Sequence, residues 1–244
     1  HISNFTDFDF LEEEKDVRLC YVGRGEKIGN SDLLIIPGSK NTINDLAYLR
    51  KMGYEEQILD KVRKGTKILG ICGGYQMLGK EIMDPYHTES SREKIKGLGL
   101  IDAVTILEKT KITSQIKVYL EKNRFFSSRG EIKGYEIHTG RTRLFEGITP
   151  FFRITERLSK PVGIKEGAIN NEGRVFGTYI HGIFDNQLFR RDFLNYLRQE
   201  KGLSSYFPCR GISDWERKDR EYNKLADLVR AKLNIKKIYK IMGL

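Results

Sequence analysis

The sequence has few of the residues that mark several common protein classes. It contains only three cysteines and five prolines in 244 residues. Cys20, Cys72 and Cys209 are odd in number and far apart, which argues against a disulfide framework and against a cysteine-based zinc site. No metal site is predicted, and we expect a reducing, cytoplasmic environment. No apolar run approaches the roughly 20 residues needed to span a membrane, and the first residues lack the pattern of a signal peptide.

Two further absences concern the organisation of the chain. It begins with His1 rather than Met, so we expect it to be cut from something longer. It contains no Gly-x-x-x-x-Gly-Lys-Ser/Thr phosphate loop, so no triphosphate site is predicted. Residues 1–15 run into the charged stretch Glu12–Asp16, and this composition predicts a linker.

The composition is that of a globular protein, with 39% hydrophobic and 31% charged residues. The net charge is +10, and residues 204–244 supply half of it with ten Lys/Arg against five Asp/Glu. Elsewhere the charges are interspersed, and no basic run alternates with aromatic residues, so nucleic-acid binding is not predicted. An acidic substrate or partner domain accounts for the charge better.

The first 80 residues alternate between short apolar runs and amphipathic segments. This alternation predicts an α/β fold with a mainly parallel central sheet and helices on both faces. The predicted strands are 17–22, with Cys20 in the core, 33–36 and 68–71, separated by a loop at 23–31. The predicted helices are 42–49, capped by Thr42, and 54–64, stopped by Gly65.

The middle of the chain has a different pattern. Apolar and polar residues alternate from Ile112 to Glu121, which predicts a half-exposed antiparallel strand. Further strands are predicted at 131–143, 151–156 and 174–180, the last preceded by a turn at 170–173. A helix capped by Asp185 follows.

The end of the chain predicts a basic helical extension over residues 204–244, packed on a catalytic domain that spans 16–203. Ser213 and Glu216 form a capping box. An apolar stripe at helical spacing follows, formed by Tyr222, Leu225, Ala226, Val229 and Leu233. Residues 235–242 continue it as a second, short apolar face.

The stretch Gly70–Gln76, with sequence Gly-Ile-Cys-Gly-Gly-Tyr-Gln, carries the strongest chemical signal. It places Cys72 between glycines, after an apolar strand and before a helix, as in a nucleophile elbow. A helix N-terminus favours a thiolate, and its backbone N–H groups stabilise an oxyanion. The alternative is a small buried cysteine in a glycine-rich turn.

A cysteine nucleophile needs a base, and four histidines are available. His181 directly follows a predicted strand, where α/β enzymes present catalytic groups. His138 is the competing candidate. His1 lies at the first position, and His87 lies in a polar loop.

Several motifs resemble the class I glutamine amidotransferases, and more specifically the cobyric acid synthase family. The Cys72 elbow and the turn at 37–40 resemble the class as a whole. The segments that resemble the cobyric acid synthase family are 4–8, 37–42, 134–138, 177–185 and 235–242.

This resemblance implies a glutaminase. Cys72 would attack the side-chain amide of glutamine to form a thioester and release ammonia, and His181 would move the protons. The backbone N–H groups of Gly73 and of Gly38 or Ser39 would bind the oxyanion.

By the same analogy, Gln76 and the backbone around Thr139 and Gly140 would hold the amino-acid end of glutamine. The alternative for Gln76 is an ordinary residue on a helix surface.

The sequence departs from the class pattern at one position. Class I enzymes usually have Glu two residues after the catalytic histidine, whereas this chain has Ile183. Asp185 is better explained as a helix cap. The sequence therefore predicts a Cys72–His181 dyad without an essential carboxylate partner.

The resemblance also implies a partner. Cobyric acid synthases join the glutaminase to an ATP-using synthetase domain that amidates adenosylcobyrinic acid a,c-diamide. That N-terminal domain, with its ATP, Mg²⁺ and corrinoid, would precede His1, and residues 1–15 would be the linker from it. Alternatives within the class are the glutaminases of cobyrinic acid a,c-diamide synthase and of a cell-wall amidating ligase. A non-catalytic binding module and a cysteine peptidase are alternatives from other classes.

Overall fold

The computed structural model describes residues 3–207 and 214–243, and of 214–218 it describes the backbone alone. The strands are β1 (Leu33–Ile36), β2 (Lys67–Ile71), β3 (Glu81–Met83), β4 (Lys94–Lys96), β5 (Ala103–Leu120), β6 (Ile132–Leu144), β7 (Phe152–Arg157), β8 (Lys160–Glu166), β9 (Ala168–Ile169), β10 (Val175–Thr178) and β11 (Ile180–His181). The helices are α1 (Asp9–Glu12), α2 (Thr42–Lys51), α3 (Tyr54–Arg63), α4 (Gly73–Leu78), α5 (Gln187–Glu200), α6 (Asp214–Lys232) and α7 (Ile235–Met242). Within the described residues, none of these helices is both long and apolar enough to cross a bilayer.

A four-stranded sheet in the order β1-β2-β10-β9 forms the centre of the fold. β1, β2 and β10 are parallel, and β9 is the antiparallel edge. Helices α2, α3 and α4 contribute to one apolar core and α5 to the other, so the sheet is covered on both faces. The predicted α/β fold is thus confirmed. The continuous apolar strands have the composition that burial on both faces requires.

A second sheet, in the order β11-β6-β5-β3-β4 with β7 and β8 added at β5, is larger than the parallel one. Its pairing is antiparallel except between β3 and β5. The predicted alternation from Ile112 to Leu120 is confirmed by the burial of alternate side chains. The strand begins at Ala103, earlier than predicted. A bulge between Leu107 and Ile112 interrupts the alternation, so the sequence pattern did not reveal the part before it.

The segment 174–180, predicted as one strand, is divided between the two sheets. β10 ends at Thr178 in the parallel sheet, and β11 begins at Ile180 beside β6. Tyr179 joins the two strands, so the chain changes sheet at this residue. The change brings His181 into register with Tyr135 of β6.

The linker prediction for residues 1–15 is wrong for the part that the structure describes. Residues 5–12 form a 3₁₀ turn and then α1. The side chains of Phe8, Phe10 and Leu11 are each only 3% exposed. Glu14, in the charged stretch, bonds the buried Arg190 and Arg191 of α5 at 2.6 and 2.7 Å. The carboxylates are thus partners of buried guanidinium groups rather than a solvated surface.

The strand predicted at 17–22 is also wrong. These residues have no regular secondary structure, and Cys20 is exposed. Val17 and Leu19 pack against the core, which accounts for the apolar pattern without a strand.

The helical part of the C-terminal prediction is confirmed by α6 and α7, but the packing is not. Leu225 and Tyr239 are 57% and 53% exposed, and the described side chains of α7 include no buried one. The predicted capping residue Ser213 lies outside the described residues.

Candidate active site

Cys72 lies at the turn from β2 into α4, in a strained backbone conformation. Its φ of 52° is in the left-handed region, which a non-glycine residue rarely adopts. The adjoining turn is tight enough to need glycine, because a Cβ on Gly74 would lie 1.9 Å from the carbonyl oxygen of Ile36. The elbow therefore presents the thiol at the N-terminus of α4.

The structure brings Cys72 and His181 together beside Gly38, close enough for the side chain of Cys72 to raise the pKa of His181. The thiol also lies 3.5 Å from the carbonyl oxygen of Ile137. Nδ1 of His181 donates to Oδ2 of Asp7 at 2.7 Å, and the backbone N–H of Gly182 donates to Oδ1 at 3.0 Å. The three side chains form a line of cysteine, histidine and carboxylate.

The charge state of this line follows from its partners. Burial by itself disfavours the imidazolium, but the hydrogen bonds and charges of Asp7 and Cys72 outweigh it. They raise the pKa of His181 to about 9. A protonated His181 places a positive charge beside the sulfur of Cys72.

The structure thus gives His181 a carboxylate partner that the sequence did not predict, and the sequence-based expectation that no such partner is essential stays a prediction. The carboxylate comes from Asp7, which precedes His181 by 174 residues. Asp185 lies in a 3₁₀ turn at 183–185, and Asn186, rather than Asp185, is the N-cap residue of α5. The motif at 4–8 contained the signal, but its contact with the histidine depends on the fold.

The competing histidine has other partners. Nδ1 of His138 lies 2.8 Å from the carbonyl oxygen of Gly140, and its ring stacks on Tyr179 at 3.8 Å between centroids. These contacts give His138 a structural position within β6.

The loop after β1 lies against the Cys72 turn. A Cβ added to Gly38 would lie 3.2 Å from Cε1 of His181 and 3.7 Å from Cβ of Cys72. A Cβ on Gly73 would lie 3.0 Å from the backbone nitrogen of Ser39. The three predicted oxyanion residues thus lie together at the Cys72 turn, and Ser39 is held by its hydroxyl, which donates to Asp45 at 2.5 Å.

Gln76 is not a surface residue, since it is 3% exposed. Its Oε1 accepts from the hydroxyl of Thr42 at 3.0 Å, and its Nε2 lies 3.4 Å from the hydroxyl of Tyr179. A Cβ on Gly140 would lie 2.2 Å from Nε2 of Gln76, so these residues are in direct contact. Thr139 is half-buried beside Gly140 on β6.

Glu89 is a site residue that sequence reasoning missed. Its Oε2 accepts from the backbone N–H of Thr42 at 2.6 Å, at the start of α2. Burial raises its pKa. Its loop is held by the buried Asp84, whose carboxylate accepts from the backbone N–H groups of Thr88, Glu89 and Ser90. The dipeptide Asp84–Pro85 was a turn signal, but nothing in the sequence indicated where the loop would fold.

Tyr135 is a second residue that the sequence did not single out. Its ring stacks on the imidazole of His181, with centroids 5.1 Å apart. Its hydroxyl accepts from the side-chain amide of Asn4. Tyr135 and the N-terminal segment therefore enclose the histidine from two sides.

Comparison with known proteins agrees with this geometry. The chain is 49% identical over 246 residues to a cobyric acid synthase from Alkaliphilus metalliredigens, covering 99% of this chain and 49% of the relative. It is 48% identical over 247 residues to a cobyric acid synthase from Thermoanaerobacter sp., covering 99% and 48%. The chain thus spans about half the length of the curated relatives that it matches.

Two solved structures share the fold. One is described as a glutamine amidotransferase, with a TM-score of 0.58, 19% identity and coverage of 83% of this chain and 96% of the other. The second is PurLQS from Thermotoga maritima, with a TM-score of 0.58, 20% identity and coverage of 79% and 92%. The family described as the CobB/CobQ-like glutamine amidotransferase domain matches residues 1–189. The elbow cysteine, its histidine and these matches agree: the chain belongs to the CobB/CobQ-like glutamine amidotransferase family.

Proposed function

We propose that this chain is the glutaminase half of a cobyric acid synthase. It hydrolyses glutamine to glutamate and passes the ammonia to an ATP-dependent synthetase half, which amidates adenosylcobyrinic acid a,c-diamide. The relatives' names and their 46–49% identity across nearly the whole chain support this reaction over those of other family members.

The chemistry begins with the Cys72 thiolate, which attacks the side-chain amide carbon of glutamine. The resulting oxyanion accepts hydrogen bonds from the backbone N–H of Gly73 and from that of Gly38 or Ser39. The protonated His181 gives its proton to the departing nitrogen, ammonia leaves, and a thioester remains. Neutral His181 then takes a proton from water as the water attacks the thioester, which releases glutamate and restores the thiolate.

Asp7 is a positioning residue in this scheme. It accepts from Nδ1 of His181 and thereby directs the other ring nitrogen toward the thiol and the substrate. Its negative charge stabilises the imidazolium at each proton transfer.

The amino-acid end of glutamine binds beside α4 and the start of α2. Gln76, together with the backbone at Thr139 and Gly140, supplies hydrogen-bond partners. Glu89 supplies negative charge, which suits the α-ammonium group of glutamine. Thr42 connects these groups, because its hydroxyl donates to Gln76 and its backbone N–H donates to Glu89.

The synthetase half brings ATP, Mg²⁺ and the corrinoid, and the proposed location is the cytoplasm. The relatives have about as many additional residues as this chain has, which leaves room for such a domain. A reducing compartment would keep Cys72 from being oxidised to a disulfide.

The observation that carries the proposal is the strained Cys72, which lies beside a histidine that Asp7 holds. The test is the rate of ammonia release from glutamine by the wild type and by Cys72→Ser, with exposed Cys20→Ser as the matched control. We expect Cys72→Ser to abolish release and Cys20→Ser to retain it. An electrophilic glutamine analogue should label Cys72. Labelling of Cys20 instead, or unchanged hydrolysis by Cys72→Ser, would contradict the assignment.

A further inference from the structure

Helices α6 and α7 expose two apolar stripes that the glutaminase chemistry does not use. Among the described side chains, the exposed fractions are 65% for Tyr222, 57% for Leu225, 38% for Val229, 52% for Leu233, 36% for Ile238, 53% for Tyr239 and 64% for Met242. A helix with one apolar face normally buries it, because leaving that face in water is unfavourable.

The stripes are regular features of well-formed helices. Their members recur three or four residues apart, as one helix face requires. The side chain of Asn234 caps α7 by accepting from the backbone N–H of Lys237 at 3.0 Å, and Gly243 ends it with a φ of 77°. The sequence thus specifies the helix and its boundaries, and leaves the apolar face without a partner among the residues that the structure describes.

The partner of this apolar face is suggested by which proteins share α6 and α7. The amidotransferase family match covers residues 1–189 and ends within α5, so α6 and α7 lie beyond the matched residues. The cobyric acid synthase relatives match 99% of the chain, a region that includes both helices, and they are twice as long. The two helices therefore accompany the additional half rather than the amidotransferase fold itself.

We propose that the apolar stripes of α6 and α7 are the docking surface for the synthetase half of the same polypeptide. This inference rests on the proposed function, because it needs that half to exist. Docking would bury both stripes and hold the two halves together at a point other than the Cys72 pocket.

Charge complements this surface. Residues 219–243 carry seven Lys/Arg and three Asp/Glu, and α7 carries three lysines and no acidic residue. The part of the synthetase half that receives the stripes would therefore have an acidic rim.

Hydrogen exchange at the backbone amides of residues 219–243 tests the proposal. It is measured in this 244-residue chain and in the polypeptide that carries both halves. We expect the amides to exchange at least ten-fold more slowly in the two-half polypeptide, because packing protects them. The stripe variant Leu225→Ser/Val229→Ser should remove this slowing. The matched control Lys224→Ser/Ala231→Ser, on the opposite face of α6, should keep it.

Equal exchange in the two proteins would overturn the proposal, and so would slowing that survives the stripe variant. Protection in the 244-residue chain that increases with its concentration would also overturn it, in favour of a second copy. Glutamine hydrolysis measured on the same samples separates the two claims. Loss of hydrolysis by every form would contradict the glutaminase function, whereas intact hydrolysis with no slowing of exchange in the unsubstituted two-half polypeptide would contradict the docking surface alone.

Discussion

The two ends of the molecule are opposites in composition and in burial. The N-terminal segment, residues 3–16, is rich in acidic side chains, yet Asp7 and Phe8 are each only 3% exposed. The C-terminal segment, residues 219–243, carries regular apolar stripes, yet the stripe residue Met242 is 64% exposed. Burial in this protein thus depends on which partners the fold supplies rather than on local hydrophobicity.

The partners of the N-terminal segment are positive and buried. Arg190 and Arg191 are 4% and 6% exposed, and each ion-pairs with Glu14. Asp16 adds a second pair with Arg191 at 2.9 Å. Because buried charges need partners, the buried guanidinium groups require the acidic side chains of this segment. The C-terminal stripes have no such complement within the described fold.

The largest expected effect is the loss of catalysis when the carboxylate on His181 is removed. Asp7→Ala should lower kcat for glutamine hydrolysis by roughly 10²–10⁴-fold, because the imidazole loses both its orientation and its stabilising charge. The control is Asp9→Ala, an exposed carboxylate in the same segment. Ammonia release measures both. Equal rates for the two variants would make the N-terminal segment structural only.

The ion pairs at the two ends should differ sharply in stability. Glu14→Gln leaves two buried guanidinium groups without one of their partners, and should lower the free energy of unfolding by about 3 kcal/mol. Glu221→Gln breaks the pair with Lys224, whose two side chains are 64% and 72% exposed, and should have no measurable effect. Denaturant unfolding of both variants checks this. A similar loss from each would mean that the C-terminal pair is buried.

Truncation of leucine sharpens the same comparison. Leu11 lies in a core cluster at 3% exposure, so Leu11→Ala should cost about 2–5 kcal/mol of unfolding free energy. Leu225→Ala removes an exposed side chain in this chain and should change stability by at most about 0.5 kcal/mol. A large loss from Leu225→Ala would show that α6 packs on the glutaminase.

The pH dependence should depend on the N-terminal segment. The pKa of His181 is raised from 6.5 to about 9 in the folded protein. Protonated His181 therefore contributes to folding stability, fully below pH 6.5, and this contribution is lost as the pH rises through about 9. Asp7→Asn removes a group that raises this pKa. The alkaline limb of kcat/KM should therefore move to lower pH by about one unit or more. Asp9→Asn is the control, and an unmoved limb in Asp7→Asn would separate Asp7 from the titration.

The smallest expected effect is that of removing the C-terminal helices. Deletion of residues 219–244 should leave the glutaminase rate and the Tm of this chain unchanged, because the described side chains there are largely exposed. Thermal unfolding and ammonia release check both. A fall in either would contradict the exposed state of α6 and α7.

Local patterns predicted much of this fold. The elbow around Cys72, the parallel strands and the alternation in β5 depend on neighbouring residues, so the sequence carries them directly. His181 followed from its place after a strand. The same reasoning failed at residues 17–22, where two apolar side chains pack from an irregular segment.

The rest depended on contacts between distant residues. Asp7 and His181 are 174 residues apart, and Glu89 meets Thr42 from a separate loop. The change of sheet at Tyr179 aligns His181 with Tyr135, but the segment looks like one uninterrupted strand in the sequence. Such contacts are products of topology, and no spacing within the chain encodes them.

The hydrogen bond from the backbone N–H of Ser3 to the carbonyl oxygen of Gly38, at 3.0 Å, holds the start of the N-terminal segment against the loop after β1. Gly38 adjoins Cys72 and His181, and Asp7 bonds His181 directly, so the N-terminal segment is anchored to the catalytic site at two separate points.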